Sequence, residues 1–309
     1  MSNPRSVSAR PRAARFGAQV AGVALGAAML AAGALVVGAP APAGATPRST
    51  GPVNVLTAGS LETIMKTAVE PGFHAATGYT VDDYSHGSTA LAQDIKGGVY
   101  KADVFWSASA TSDKALIGAK NGSWVSWYIT FATTTLVLGY EPKDKFASTI
   151  KSEPWWKVIT KPGFRVGRTN PVTDPKGRLT VAALKLAARQ HDDAALSAIV
   201  ANQTTIFTET SLVGRLQAGQ LDAGFFYAVE ASASHFPTVP LTGVTEKAEY
   251  TLTVVAKAPH AAAANTFIAW LLSPAAKKLL AAHGLVELSK PVLSGSLSSV
   301  PPGLRKVIG

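Results

Sequence analysis

The sequence predicts an α/β fold in two lobes, with mainly parallel strands alternating with helices. Three times between Val53 and Ser112 an apolar strand opens into a small, hydroxyl-rich turn that starts a helix. A β-rich run, Thr133 to Tyr140, then reads as a crossover into a second lobe, where strands and helices alternate again. The chain has 309 residues, 47% hydrophobic and only 16% charged, which is enough for two separate cores and too apolar for disorder.

The first unit sets the pattern. Val53–Leu56 is a strand that runs into Thr57-Ala58-Gly59-Ser60. Leu61, Ile64, Met65, Ala68 and Val69 then recur at helical steps, predicting a helix over 61–76 with Ser60 at its N-cap and Glu62 in its first turn. A helix start offers unpaired N–H groups and a partial positive charge, and Gly59 lets a ligand approach the backbone. Most such junctions are plain caps, so one alone proves little. The second unit is the strand Tyr79–Tyr84, the turn Ser85-His86-Gly87-Ser88-Thr89 and a helix around Ala90–Ile95. The third is Asp103–Trp106, the turn Ser107-Ala108-Ser109-Ala110-Thr111 and a helix around Ser112–Ala119. In a parallel sheet such turns share the rim at the strands' C-terminal ends, where ligands bind in open α/β folds.

Trp124, Trp127, Tyr128 and Phe131 read as packing residues before the crossover. Pro154-Trp155-Trp156 predicts a short helix. Phe164–Thr169 is a strand, followed by a turning loop, Asn170-Pro-Val-Thr-Asp174-Pro-Lys-Gly177, and a long helix from near Leu179. Arg168 and Arg178 are candidates for an anion contact or for pairing with Asp174 or solvent. Thr204–Thr208 is a strand, and Thr210-Ser211 caps a helix over 212–218. Leu221–Tyr227 is a strand ending in Tyr227, with Glu230 just beyond it. Tyr250–Val255 is a strand returning to the first lobe. Residues 261–282 form an amphipathic helical stretch broken at Ser273-Pro274. Residues 289–309 show little periodicity and carry no assigned function.

Residues 1–45 read as a secretory signal. Arg5 to Arg15 is basic, Phe16 to Val37 is apolar, and Ala43-Gly44-Ala45 suits a small-x-small cleavage rule. Cleavage near Ala45 is expected, giving an extracytoplasmic protein. An uncleaved anchor is the alternative, because the apolar run approaches the ~20 residues that span a bilayer. Arg10-Pro-Arg12 is no twin-arginine pair, and with no cysteine in the chain a thioether-linked lipid is excluded.

The formal charge is +10, partly from the signal's arginines. The excess is too diffuse for nucleic acid and suits small anions. The absence of cysteine removes disulfides, thiolate metal sites and thiol nucleophiles. The six histidines show no i,i+4 pairing, so no metal site is expected. Only His86 lies near the shared rim, where a non-ligating role is expected. A serine hydrolase is disfavoured, since no Gly-x-Ser-x-Gly occurs. No enzymatic activity is expected.

Several motifs, in order and spacing, are similar to the periplasmic molybdate/tungstate-binding proteins of ABC importers. They are Thr57-Ala-Gly-Ser60-Leu, His86-Gly-Ser88, Ala102-Asp-Val-Phe-Trp-Ser-Ala108, the Gly167–Gly177 run, Gln217–Tyr227, and Ser273-Pro-Ala-Ala276 before His283-Gly-Leu285. The resemblance covers residues 53 to 285. It implies a type II periplasmic-binding fold with a ligand cleft between two lobes. The lobes are 46–132 with 249–309, and 133–248, hinged near Phe131–Thr135 and before Tyr250. It implies molybdate or tungstate as ligand, no cofactor, a permease and an ATPase as partners, and a monomer. By position, Ser60, Ser88 and Tyr227 would hold the oxyanion, with Ala108 and Ser211 as further donors at helix starts. Neutral donors on fixed backbone suit a buried dianion. Archaeal tungstate-type members have Phe-Glu-Tyr where this chain has Phe225-Phe226-Tyr227, and their glutamate binds the metal centre directly. The resemblance therefore implies a tetrahedral anion held only through its oxygens, with no protein ligand to the metal and Asp174 as a loop cap. Sulfate, thiosulfate and phosphate receptors share the fold and remain rival readings.

Overall fold

The computed structural model describes residues 51–308. The expected signal, residues 1–45, lies outside the described residues.

Ten strands form one mixed sheet. They are β1 (Pro52–Ala58), β2 (Thr80–His86), β3 (Val104–Ser107), β4 (Trp127–Tyr140), β5 (Val166–Thr169), β6 (Ile206–Phe207), β7 (Ala223–Tyr227), β8 (Thr238–Pro240), β9 (Lys247–Val254) and β10 (Val286–Gly295). Their order is β2-β1-β3-β9-β4-β7-β5-β6, with β8 and β10 also paired to β4. Two parallel blocks result, β2-β1-β3 and β7-β5-β6. Antiparallel β9 and β4 join them. The long strand β4 serves both blocks. Its first half pairs with β9 and β10, and its last five residues pair with β7. Two parallel blocks joined by antiparallel strands and flanked by helices make the α/β architecture that the sequence predicts.

The elements follow from local chemistry. β1 alternates toward two cores and is almost fully buried after Pro52. The helical stretch behind it runs as Glu62–Ile64, a π segment Met65–Val69, and Glu70–Thr77. Pro71 has no N–H for the carbonyl four residues earlier, and the widened π turn directly precedes it. The helix ends at Gly78 with φ 75°, a left-handed cap. Phe73 packs edge-on to Phe267, and Trp106 packs against Phe131 and Phe267, so helix Ala261–Leu271 closes the first block. Trp127, Tyr128 and Phe131 are buried packing residues, as expected.

Several elements differ from the sequence reading; the third helix, expected around Ser112–Ala119, is Ala110–Lys114, and the strand expected over Thr204–Thr208 is Ile206–Phe207 after a 3-10 turn. The long helix starts at Pro175, not near Leu179, because Asp174 caps it by accepting from the Lys176 N–H. The helix after β6 spans Glu209–Gln217 and is capped by Thr208, whose Oγ1 accepts from the Ser211 N–H. Thr210-Ser211 is therefore inside the first turn and caps nothing. The C-terminal tail is structured. β10 pairs with β4 around an irregularity between Glu287 and Val292, which accommodates Pro291, and helix Pro302–Ile308 buries Leu304 and Ile308.

Candidate functional site

The C-terminal ends of β1, β2, β3, β5, β6 and β7 all open into turns that start helices or a 3-10 turn. These turns meet across the middle of the sheet. Gly59, after β1, lies against Glu209, after β6: a Cβ at Gly59 would stand 1.8 Å from Glu209 Oε2. Gly87, after β2, lies against the loop after β5: its Cβ would stand 2.5 Å from the Thr173 carbonyl and 3.1 Å from Asp174 Cα. Both glycines are there because the opposing chain comes too close for a side chain. Two hydrogen bonds span the same gap, Ala90 N–H to the Thr173 carbonyl at 3.1 Å and Arg178 Nη1 to Thr89 Oγ1 at 2.7 Å. Thr210 Oγ1 also donates to Glu62 Oε2 at 2.6 Å.

Four of the five expected ligand residues join this meeting point. Ser60 is buried inside a 3-10 turn, Gly59–Leu61, rather than acting as a helix cap, and its Oγ is 3.0 Å from the Tyr250 hydroxyl. Ser88, also buried, accepts the Ala108 N–H at 3.0 Å, which leaves its own hydroxyl proton free to donate. Ala108 is present, but its N–H is the one spent on Ser88. The Tyr227 hydroxyl is buried and has no partner among the described residues. Its ring stands edge-on to Tyr250 at 6.3 Å. Ser211 does not join. It is exposed, and its N–H is held by Thr208. The expectation for Ser211 is corrected on that ground.

The arginines take other roles. Arg168 is buried, and its Nη2 donates to the carbonyls of Val200 at 2.8 Å and Asn202 at 3.2 Å, at the end of helix Ala194–Ala201. Its Nε and Nη1 are buried with no partner among the described residues, and it does not pair with Asp174. Arg178 bonds Thr89, as described above.

Sequence reasoning missed the charged half of the site. Asp174, Glu209 and Glu230 converge, all buried, around the ammonium of Lys176, which is 0% exposed. Lys176 Nζ donates to Glu230 Oε2 at 2.5 Å and lies 3.2 Å from Glu209 Oε1. Glu209 Oε2 has no partner among the described residues. Burial pushes the Glu209 carboxyl well above its ordinary range, and Asp174 beside it adds to the effect. Burial also raises Asp174, opposed by Lys176 and by the backbone N–H groups at its helix start. Glu230 is raised by burial too, opposed by Lys176. For Lys176 itself burial works downward, but the three carboxyls outweigh it and keep the ammonium charged. Burial raises both tyrosines, Tyr227 and Tyr250, far above their usual value, so both stay neutral donors.

Asp174 and Glu209 also form the wall of a cavity of about 330 Å³ that reaches His86, Thr169, Asn170 and Thr208. Ser60, Ser88 and Tyr227 do not line that cavity, and each is no more than 2% exposed. His86 Nδ1 accepts the Gly87 N–H at 2.7 Å, so it shapes the second turn. At the position where archaeal tungstate-type members carry a glutamate this chain has Phe226. Phe226 packs in a separate apolar cluster with Leu212 and Leu216, and Glu209 brings the carboxylate from another strand end. Among the described residues no group of three or more His, Cys, Asp or Glu side chains is placed to hold a free metal ion. Chemically the site offers neutral hydroxyl donors, a carboxyl pair with one free oxygen, and one fixed cation.

Known proteins share this arrangement of elements. An ABC transporter protein of Haloferax volcanii named for molybdenum binding is 32% identical over 240 residues, covering 77% of this chain and 72% of its own. The molybdate/tungstate-binding protein WtpA of Thermococcus kodakarensis is 24% identical, covering 73% and 77%. The solved periplasmic molybdate-binding protein of Azotobacter vinelandii superposes with a TM-score of 0.61 at 23% identity, over 76% of this chain and 98% of that one. The family model described as bacterial extracellular solute-binding protein matches residues 53–286, and the chain belongs to that family.

Proposed function

We propose that this chain captures molybdate or tungstate outside the cytoplasm and delivers it to the permease and ATPase of an ABC importer, without catalysing a reaction. The observation that carries the reading is the buried convergence of Ser60, Tyr227, Asp174 and Glu209 from four different strand ends. The names of the Haloferax and Thermococcus relatives support it. Ser60, Ser88 and Tyr227 donate to the oxyanion's oxygens, and each such bond is strengthened by the charge on its acceptor. Asp174 and Glu209 add two oxygen ligands to the metal centre. Molybdenum and tungsten accept hard oxygen donors and can expand their coordination, whereas the central atom of sulfate cannot. Sulfate would meet the same hydroxyls but could not take the two carboxyl oxygens as ligands, and their charge would then oppose it.

The lobes close on the ligand about β4 near Phe131–Thr135 and about β9 before Tyr250, where the chain passes between the two parallel blocks. Phosphate is the second reading, because a protonated phosphate could donate to a carboxylate of the same pair. Titration calorimetry of the protein beginning at Thr46 separates these readings. Molybdate and tungstate are expected to bind one-to-one, far more tightly than sulfate or phosphate. Heat from sulfate or phosphate alone would overturn the proposal.

A further inference from the structure

We propose that Lys176 is a positioning residue for the oxyanion: bonded to both Glu230 and Glu209, it aims the free oxygen of Glu209 at the Gly59–Ser60 turn and is the fixed positive charge of the site. The inference rests on the proposed oxyanion reading and deepens it.

The geometry is specific. Lys176 is the second residue of helix Pro175–His191, a place usually exposed, yet it is 0% exposed. Its Nζ lies over the rings of Phe226 and Tyr227, 5.4 and 5.9 Å from their centroids. From there one ammonium holds two carboxyls from two other helices. Glu230 comes from Ala228–Ala233 and Glu209 from Glu209–Gln217. Glu209 Oε1 is tied down by the ammonium, so the carboxyl plane is fixed and Oε2 is left over. That leftover atom lies against the Gly59 backbone, one residue before Ser60. Asp174 completes the set from the helix cap. The groups facing Lys176 are therefore Asp174, Glu209 and Glu230, with the Tyr227 and Tyr250 hydroxyls nearby.

The other buried basic residue among those described, Arg168, lies at the end of helix Ala194–Ala201, where its Nη2 donates to two backbone carbonyls and its Nε and Nη1 have no partner among the described residues. Lys176 is the cation that stands among the carboxyls of Asp174, Glu209 and Glu230. Glu230 has a distinct part. It anchors the ammonium from behind and accepts the Tyr227 N–H at 3.4 Å, so the lysine and the tyrosine share one support.

The test compares K176M, K176R, E209Q and K176M/E209Q by titration with molybdate at pH 7. K176M is expected to weaken molybdate binding tenfold or more. K176R should restore affinity to within about threefold. In the E209Q background the K176M change should shrink below threefold, since the residue it positions is gone. Should K176M fold poorly with Glu230 unpaired, K176M/E230Q removes both partners and is measured in its place. A K176M penalty of the same size with and without Glu209 overturns the inference. Failure of the wild-type protein to bind molybdate or tungstate would instead strike the oxyanion reading itself.

Discussion

Replacing Tyr227 by Phe should move stability and affinity in opposite directions. The Tyr227 hydroxyl is buried and has no hydrogen-bond partner among the described residues. Such a group carries a desolvation penalty of about 1–3 kcal/mol in the ligand-free protein, which the Phe variant does not have. The ring keeps its contacts with Tyr250 and the surrounding core, so little packing is lost. Ligand-free Y227F is therefore expected to be more stable by ~1 kcal/mol, a rise of roughly 2–4 °C in Tm for a domain of this size. With ligand the sign reverses. A hydrogen bond to a charged acceptor contributes about 1.5–3 kcal/mol, so molybdate binding should weaken by roughly 10- to 100-fold. Urea denaturation of the ligand-free protein and calorimetric titration with molybdate measure the two effects separately. A variant that is less stable without ligand, or that binds molybdate as tightly as the parent, would refute the reasoning.

Other expectations follow from single features. Gly59→Ala puts a methyl group where Glu209 Oε2 sits, so affinity should fall at least tenfold while the fold survives, because only a flexible carboxyl must move; titration of a variant with unchanged circular dichroism checks this. Asp113 is fully buried, accepts from Thr251 Oγ1 at 2.6 Å, and is pushed up to about 8 by burial. Its folded value lies above its unfolded one, so its share of stability is whole below about pH 4 and is lost as pH rises through 8, at up to ~1.4 kcal/mol per pH unit. Asp113→Asn should remove that slope, and denaturation midpoints at pH 5 and pH 8 would show the variant gaining on the parent. Leu304→Ala in the C-terminal helix should destabilise by ~2–4 kcal/mol, since Leu304 is 0% exposed, and unfolding by urea measures it.

Much of the fold was legible because its signals are local. Val53–Leu56, Gly59 and Ser60 announce a strand, a close approach and a turn within eight residues, and the turns after β2 and β3 repeat it. Tyr227 was readable as the last residue of an apolar strand. The charged half was not. Glu209 stands in a helix first turn, where an acidic residue is ordinarily a solvent-facing complement to the helix dipole. Placing the cap at Thr210-Ser211 also pushed Glu209 out of the helix, though Thr208 two residues before Thr210 is an equally good cap. Lys176 reads as a surface charge, and only the convergence of three helix starts buries it. Asp174 was correctly read as a cap, but a capping carboxylate and a ligand-facing one look alike in sequence. Tyr250 sits at a strand position with no signal beyond its hydrophobicity, and its bond to Ser60 spans 190 residues. The tail was hidden because Lys290 and Pro291 interrupt the alternation of β10, and the strand bulges around them.

X-ray absorption at the molybdenum edge, on the molybdate-saturated protein, tests most directly whether Asp174 and Glu209 reach the metal centre. Two oxygen ligands beyond molybdate's own four, reduced in E209Q, is the predicted result. A spectrum of undisturbed tetrahedral molybdate at full saturation would contradict it.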